Sequence, residues 1–343
     1  MKTLSFTAAT ILLSVFSYAQ VDTAAISDKL NRSAKQLGKD VVCLITKDGK
    51  LIYKKDNPEF NVKTQQRVGA ASQWMTAALV LTYVQEGKLS LDDKVSDYLP
   101  FFTKYSKGHI TIRHCLTHQT GVESDPGIVK IFQKSRFKSL EDEAMGIASR
   151  KEIETNPGTE FKYSNIGYNL LGRVLEVISK KAFDRIMQDR ITRPIGMRAT
   201  TFANEDFNAA TNPSFGARST ANDLTNFMVM LINKGKFNNK QILTEESVAT
   251  LLSLQSPAGQ MKNTPKPAEG LGYALGSWVI ESDAKDKASA VAGPSFSGTW
   301  PMVDLCRGYT MVVLTKELST PPNKDFYLDM KSIIDAAIPA KCN

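Results

Sequence analysis

Histidine is scarce, with three in 343 residues, and none stands in a metal-ligand pattern, so no metal site is expected. Cysteine is almost as rare. The spacing of Cys43, Cys115, Cys306 and Cys342 fits no zinc motif. Cys43 and Cys115 sit in apolar stretches and read as small buried hydrophobes. Cys306 and Cys342 are the better disulfide pair, because a C-terminal tail gains most from a staple and an exported chain can oxidise it. After the N-terminal leader no apolar run approaches the about 20 residues that span a bilayer, so no transmembrane anchor is expected. No initial cysteine is placed for a lipid anchor, and there is no internal repeat or low-complexity tract. Basic runs that could track a phosphate backbone are also missing, although the net charge is +8. That balance suits an anionic cell-wall polymer or membrane surface and implies no nucleic acid.

What is present is globular: 42% hydrophobic and 23% charged residues suit one large domain or two interleaved lobes. Residues 1–20 read as a signal peptide. Lys2 supplies the positive start, Ala8 to Phe16 the apolar stretch, and Ala19 the small residue before cleavage. Export to the periplasm or medium is therefore expected. The remaining 21–343 reads as one domain.

Val41 to Thr46, an Asp48-Gly49 turn and Leu51 to Lys54 read as a hairpin. Ser72 to Gln85 reads as a buried helix. Leu140 to Arg150, Tyr163 to Ser179, Ala182 to Arg190 and Ala221 to Lys234 carry helical periodicity. Leu271 to Ile280, Ala288 to Ala292, Gly298 to Asp304 and Tyr309 to Lys316 read as strands, Phe326 to Ala337 as a final helix, and Pro257 to Glu269 as a flexible loop. Strands at both ends around a helical middle predict an α+β fold. An antiparallel sheet is built from both chain ends (about 21–65 and 265–343), flanked by helices, with an inserted all-helical lobe (about 66–264).

Several strings, in order from about residue 40 to 316, carry a family resemblance. They are Glu86-Gly87-Lys88-Leu89-Ser90-Leu91-Asp92-Asp93, Ile110 to Gly121 (the family's ITIRHLLTHTSG), Pro157-Gly158-Thr159 before Tyr163-Ser164-Asn165, Pro194-Ile195-Gly196-Met197 (PLGM) and Ser219 to Leu224 (STAEDL). The chain resembles the β-lactamase and penicillin-binding-protein serine hydrolases: class C β-lactamases, D-Ala-D-Ala peptidases and related esterases. The resemblance implies the β-lactamase/transpeptidase-like fold, no cofactor, and acyl transfer by a helix-start serine with a lysine one turn later as base.

Here that S-x-x-K tetrad falls on Ala70-Ala71-Ser72-Gln73. Alanine has no nucleophile, and glutamine cannot accept the proton. Ser72 projects from another helix face. The Tyr-x-Asn motif survives as Tyr163-Ser164-Asn165, which leaves Tyr163 as the retained catalytic position. The third motif, normally opened by lysine or histidine, falls on Gly293-Pro294-Ser295 and has lost its cation. By the resemblance the Ala70 N–H is one oxyanion donor and a second comes from near Phe296. Ala70, Gln73, Asn165, Ser295 and Phe296 thus form the expected ligand site. His114 and His118 read as packing residues, and Trp300 as a strand aromatic or a pocket wall. The expectation is a degenerate family member that binds a small-molecule, peptide, cell-wall or acyl ligand. Two alternatives stay open: a hydrolase using other groups such as Tyr163 with a water, and a scaffold whose cleft is filled.

Overall fold

A computed structural model describes residues 21–124, 137–206, 208–262, 264–283, 285–317 and 324–342. Residues 1–20, read as a signal peptide from the sequence, lie outside the described residues.

The chain starts with helix α1 (Thr23–Arg32) and the hairpin of β1 (Val41–Lys47) and β2 (Lys50–Lys55). A short strand β3 (Gln66–Arg67) leads into helix α2 (Ala71–Val84). The middle carries α3 (Ile112–Leu116), α4 (Leu140–Arg150), α5 (Ile166–Ser179), the short β4 (Arg218–Ser219), α6 (Ala221–Ile232) and α7 (Glu245–Leu252). Then come β5 (Gly272–Tyr273), β6 (Trp278–Ser282), β7 (Ala288–Ala292), β8 (Trp300–Asp304), β9 (Tyr309–Thr315) and a last helix α8 (Lys324–Asp335).

Seven strands form one sheet in the order β2-β1-β9-β8-β7-β6-β5, and each neighbouring pair is antiparallel. The sheet is thus sewn from both chain ends, with Val41 opposite Thr315 where the two ends meet. Both faces are covered, which is why β1 and β9 read as unbroken apolar runs rather than as alternation. Val42, Leu44, Val312 and Leu314 point to the helical lobe. Val41, Cys43, Ile45, Met311 and Val313 pack with α1 and α8 on the other side. Helix α2 is buried along almost its whole circumference, from Ala71 to Tyr83. A helix apolar all round belongs in the middle of a lobe, and this one lies between α5, α7 and the sheet.

Three sequence expectations change. Leu271 to Ile280 is two strands, because the chain turns at Gly276 with φ +82°. A Cβ there would lie 2.6 Å from the Gln73 carbonyl oxygen, so the turn presses on α2 and only glycine fits. Ala182 to Arg190 is α-helical only over Phe183–Met187 and continues as a π-helical turn over Gln188–Thr192. The Pro257 to Glu269 loop is partly packed: it holds two short 3₁₀ turns, and Pro267 and Ala268 are buried. The disulfide joins Cys306 to Cys342, with Cα atoms 5.0 Å apart, while Cys43 and Cys115 are free and buried.

Candidate functional site

Position 70 is aimed by a strand, a turn and a helix in succession. Strand β3 pairs with β4 through Gln66 and Ser219, and the Val68 N–H donates to the Ala217 carbonyl at 3.0 Å. Gly69 then turns the chain at φ +53°, a conformation glycine takes without cost. Ala70 follows as the residue that opens α2. Its side chain is a buried methyl. No described residue accepts the Ala70 N–H, which sits at the positive end of the helix.

Gln73 lies one turn on and is buried. Its Nε2 donates to Ser214 Oγ at 2.8 Å and faces the Ser164 carbonyl at 3.5 Å. Its Oε1 accepts from the Tyr273 hydroxyl at 3.4 Å. The Tyr163 phenol lies against the same amide, and burial pushes it well above its ordinary value. A lysine at 73 would oppose that rise; a neutral amide does so far less. Tyr163 is therefore a protonated phenol at neutral pH. Ser72 turns away and accepts from the Ala217 N–H at 3.0 Å.

Asn165 precedes α5, yet its side chain caps nothing there, so its amide is not explained as a helix cap. The third-motif segment folds back as a tight turn, with Gly293 N–H to the Pro301 carbonyl and Ser295 N–H to the Thr299 carbonyl, both 2.9 Å. A Cβ on Gly293 would stand 3.5 Å from Trp74 Cε3 and 3.6 Å from Ala71 Cα. This turn therefore lies on the first turn of α2. Ser295 is buried with its hydroxyl 3.1 Å from that of Ser297, and Phe296 follows half-buried. The structure thus gathers Ala70, Gln73 and Tyr163 around the head of α2. Asn165 stands at the start of α5, and the 293–296 turn closes over the first turn of α2.

Behind this layer stands one that no motif signalled. His118 Nε2 is 2.9 Å from the Tyr273 hydroxyl, which is 3.1 Å from that of Tyr168. The His118 ring also packs on Tyr163, centroids 4.5 Å apart. Burial holds His118 neutral, down to about 3, and raises Tyr168 and Tyr273. No titratable group of this layer carries charge at neutral pH. The only signal was the Leu-Thr-His string around His118, which gives packing but no partner. Trp300 is a strand aromatic: it stacks on Tyr327 at 4.2 Å on the sheet's far face. Among the described residues no cluster of three or more His, Cys, Asp or Glu could hold a metal ion. No helix among them is long and apolar enough to cross a membrane.

The family model described as Beta-lactamase matches residues 30–331. Protein flp of Staphylococcus aureus (strain MW2) is 29% identical over 177 residues, which are 48% of this chain and 35% of that protein. A candidate D-alanyl-D-alanine carboxypeptidase of Escherichia coli (strain K12) is 26% identical over 182 residues, 46% of this chain and 42% of that one. The matches thus span well under half the length of these curated relatives. Among solved structures, a candidate β-lactamase from Bacteroides dorei DSM 17855 superposes with a TM-score of 0.78 at 25% identity, covering 93% of this chain and all of that one (100%). EstCE1, a hydrolase with promiscuous acyltransferase activity, superposes with a TM-score of 0.74 at 20% identity, covering 91% and 97%.

Proposed function

The chain belongs to the β-lactamase family, and from that premise we propose an exported member that has lost covalent acyl transfer and keeps its cleft for binding a peptide, cell-wall or acyl ligand. One observation carries the reading: Ala70 opens α2 where a nucleophile would stand, and Gln73 is held by Ser214 and Tyr273 where a base would stand. A methyl cannot attack a carbonyl, and an amide cannot take the proton.

The two changes are physically coupled. A buried lysine beside a vanished hydroxyl would be an expensive unpaired charge. An amide of similar reach relieves that cost and satisfies Ser214 as well. The Ala70 N–H keeps its place at the helix start, so a carbonyl oxygen can still be received. The carboxypeptidase name of the E. coli relative makes a D-alanine-terminated peptide the first ligand to try. Export is supported by the leader-like residues 1–20 and by a disulfide that suits an oxidising compartment.

The test is the double substitution Ala70→Ser with Gln73→Lys beside the natural protein. The natural protein is expected to stay unlabelled by fluorescent penicillin and to turn over neither nitrocefin nor p-nitrophenyl acetate. The double variant is expected to form an acyl-enzyme. Labelling of the natural protein in proportion to its folded fraction would overturn the proposal. The protonated Tyr163 speaks against a hydrolase that uses this phenol as base. Trp74 packs on Phe227 at 5.5 Å and Trp300 on Tyr327, so neither supports a filled cleft.

A further inference from the structure

The hydrogen bonds behind Tyr163 run in one direction. Ser164 N–H donates to His118 Nδ1 at 3.4 Å. A neutral imidazole that accepts at Nδ1 carries its proton on Nε2. His118 Nε2 therefore donates to the Tyr273 oxygen. The Tyr168 proton is spent on the Leu116 carbonyl at 2.9 Å, so Tyr168 has none for Tyr273. The Tyr273 proton goes to the Tyr168 oxygen or to Gln73 Oε1. The Ser164 carbonyl can only accept, so the amide is turned with Nε2 toward it and Ser214, which leaves Oε1 toward Tyr273. His118 itself is pinned at φ +56°, with its carbonyl accepting from Lys162 N–H at 2.8 Å. Nε2 carries two protons: Ser214 takes one, and the other lies between the Ser164 carbonyl, 3.5 Å away, and the Tyr163 oxygen, which the Gln73 amide also reaches. The Tyr163 proton is then left over, because no described residue accepts it.

We infer that Tyr163 is a hydrogen-bond donor to the ligand, oriented by Gln73 and behind it by Tyr273 and His118, so that the atom it meets is an acceptor, a carbonyl or carboxylate oxygen. This rests on the cleft being a binding site. It gives Tyr163 the opposite polarity to a general base, and it makes His118 and Tyr273 positioning residues.

The experiment uses the full chain carrying ¹³Cζ-tyrosine and ¹⁵N labels. It is titrated with acceptor-only probes (dimethyl sulfoxide, acetate) and a donor-only probe (methylammonium). Acceptor probes are expected to shift Tyr163 ¹³Cζ and the Ala70 amide saturably, and methylammonium neither. Tyr163→Phe is expected to weaken acceptor binding about tenfold, the value of one directed hydrogen bond. Tyr273→Phe is expected to weaken the Tyr163 response several-fold. His118→Gln, which can still accept from Ser164 and donate to Tyr273, is expected to retain it. Should Tyr273→Phe not fold, the ¹⁵N signature of His118 decides in the natural protein: a ring protonated on Nδ1 overturns the chain of bonds. An Ala70 response without Tyr163, or methylammonium shifting Tyr163, overturns the polarity and leaves the binding cleft standing. No response from either residue overturns both.

Discussion

At the scale of residues, burying His118 neutral makes stability depend on pH. Its folded value is depressed to about 3, while the unfolded chain titrates near the ordinary imidazole value of about 6.5. Between those values the unfolded state binds a proton that the folded state refuses. Stability is therefore fully present above about 6.5 and falls as pH drops toward 3, by up to about 1.4 kcal/mol per pH unit. Melting temperatures from pH 7 to pH 4 should show the decline, and His118→Gln should flatten it. Identical slopes in the two proteins would remove His118 as the cause. Ala70, Gln73, Tyr163 and Asn165 were legible in the sequence because neighbouring strings fix their frame. His118 and Tyr273 were not: they meet across 155 positions, and no string pairs a buried histidine with a distant strand tyrosine.

At the scale of elements, α2 is held against the sheet by the turn between β5 and β6. That turn was invisible to periodicity, since Leu271 to Ile280 is mostly apolar and either of its two glycines could mark a bulge as well as a bend. The physical reason lies in the partner: Gly276 rests on the backbone of Gln73 and Trp74. Gly276→Ala combines a positive φ with a forbidden approach, so it is expected to cost more than about 1 kcal/mol. Because the displaced neighbour is Gln73, acceptor binding should weaken too. Denaturant unfolding and probe titration check both. Full stability in this variant would show that the turn does not press on α2. Helix existence was legible wherever the apolar spacing was long. The π-helical end near Gln188 was not, because periodicity cannot tell one helix type from another over so short a stretch.

At the scale of the molecule, the Cys306–Cys342 bond closes a loop with a sequence separation of 36. Constraining such a loop in the unfolded chain is worth about 3–4 kcal/mol. Reductant, or Cys306→Ser with Cys342→Ser, is expected to lower the melting temperature by several degrees. Unchanged melting would mean that the tail is held by its other contacts, among them Lys331 with Glu281, Asp304 and Asp335. The two-ended sheet has one more consequence, and it concerns time. Thr46 on β1 meets Thr310 on β9 across 264 positions, so the first strand made waits for nearly the last. A chain delivered from its N-terminus holds an unfinished sheet through most of its synthesis. Such a polypeptide stays threadable until its final strand emerges, which is the condition that passage through a narrow membrane channel demands.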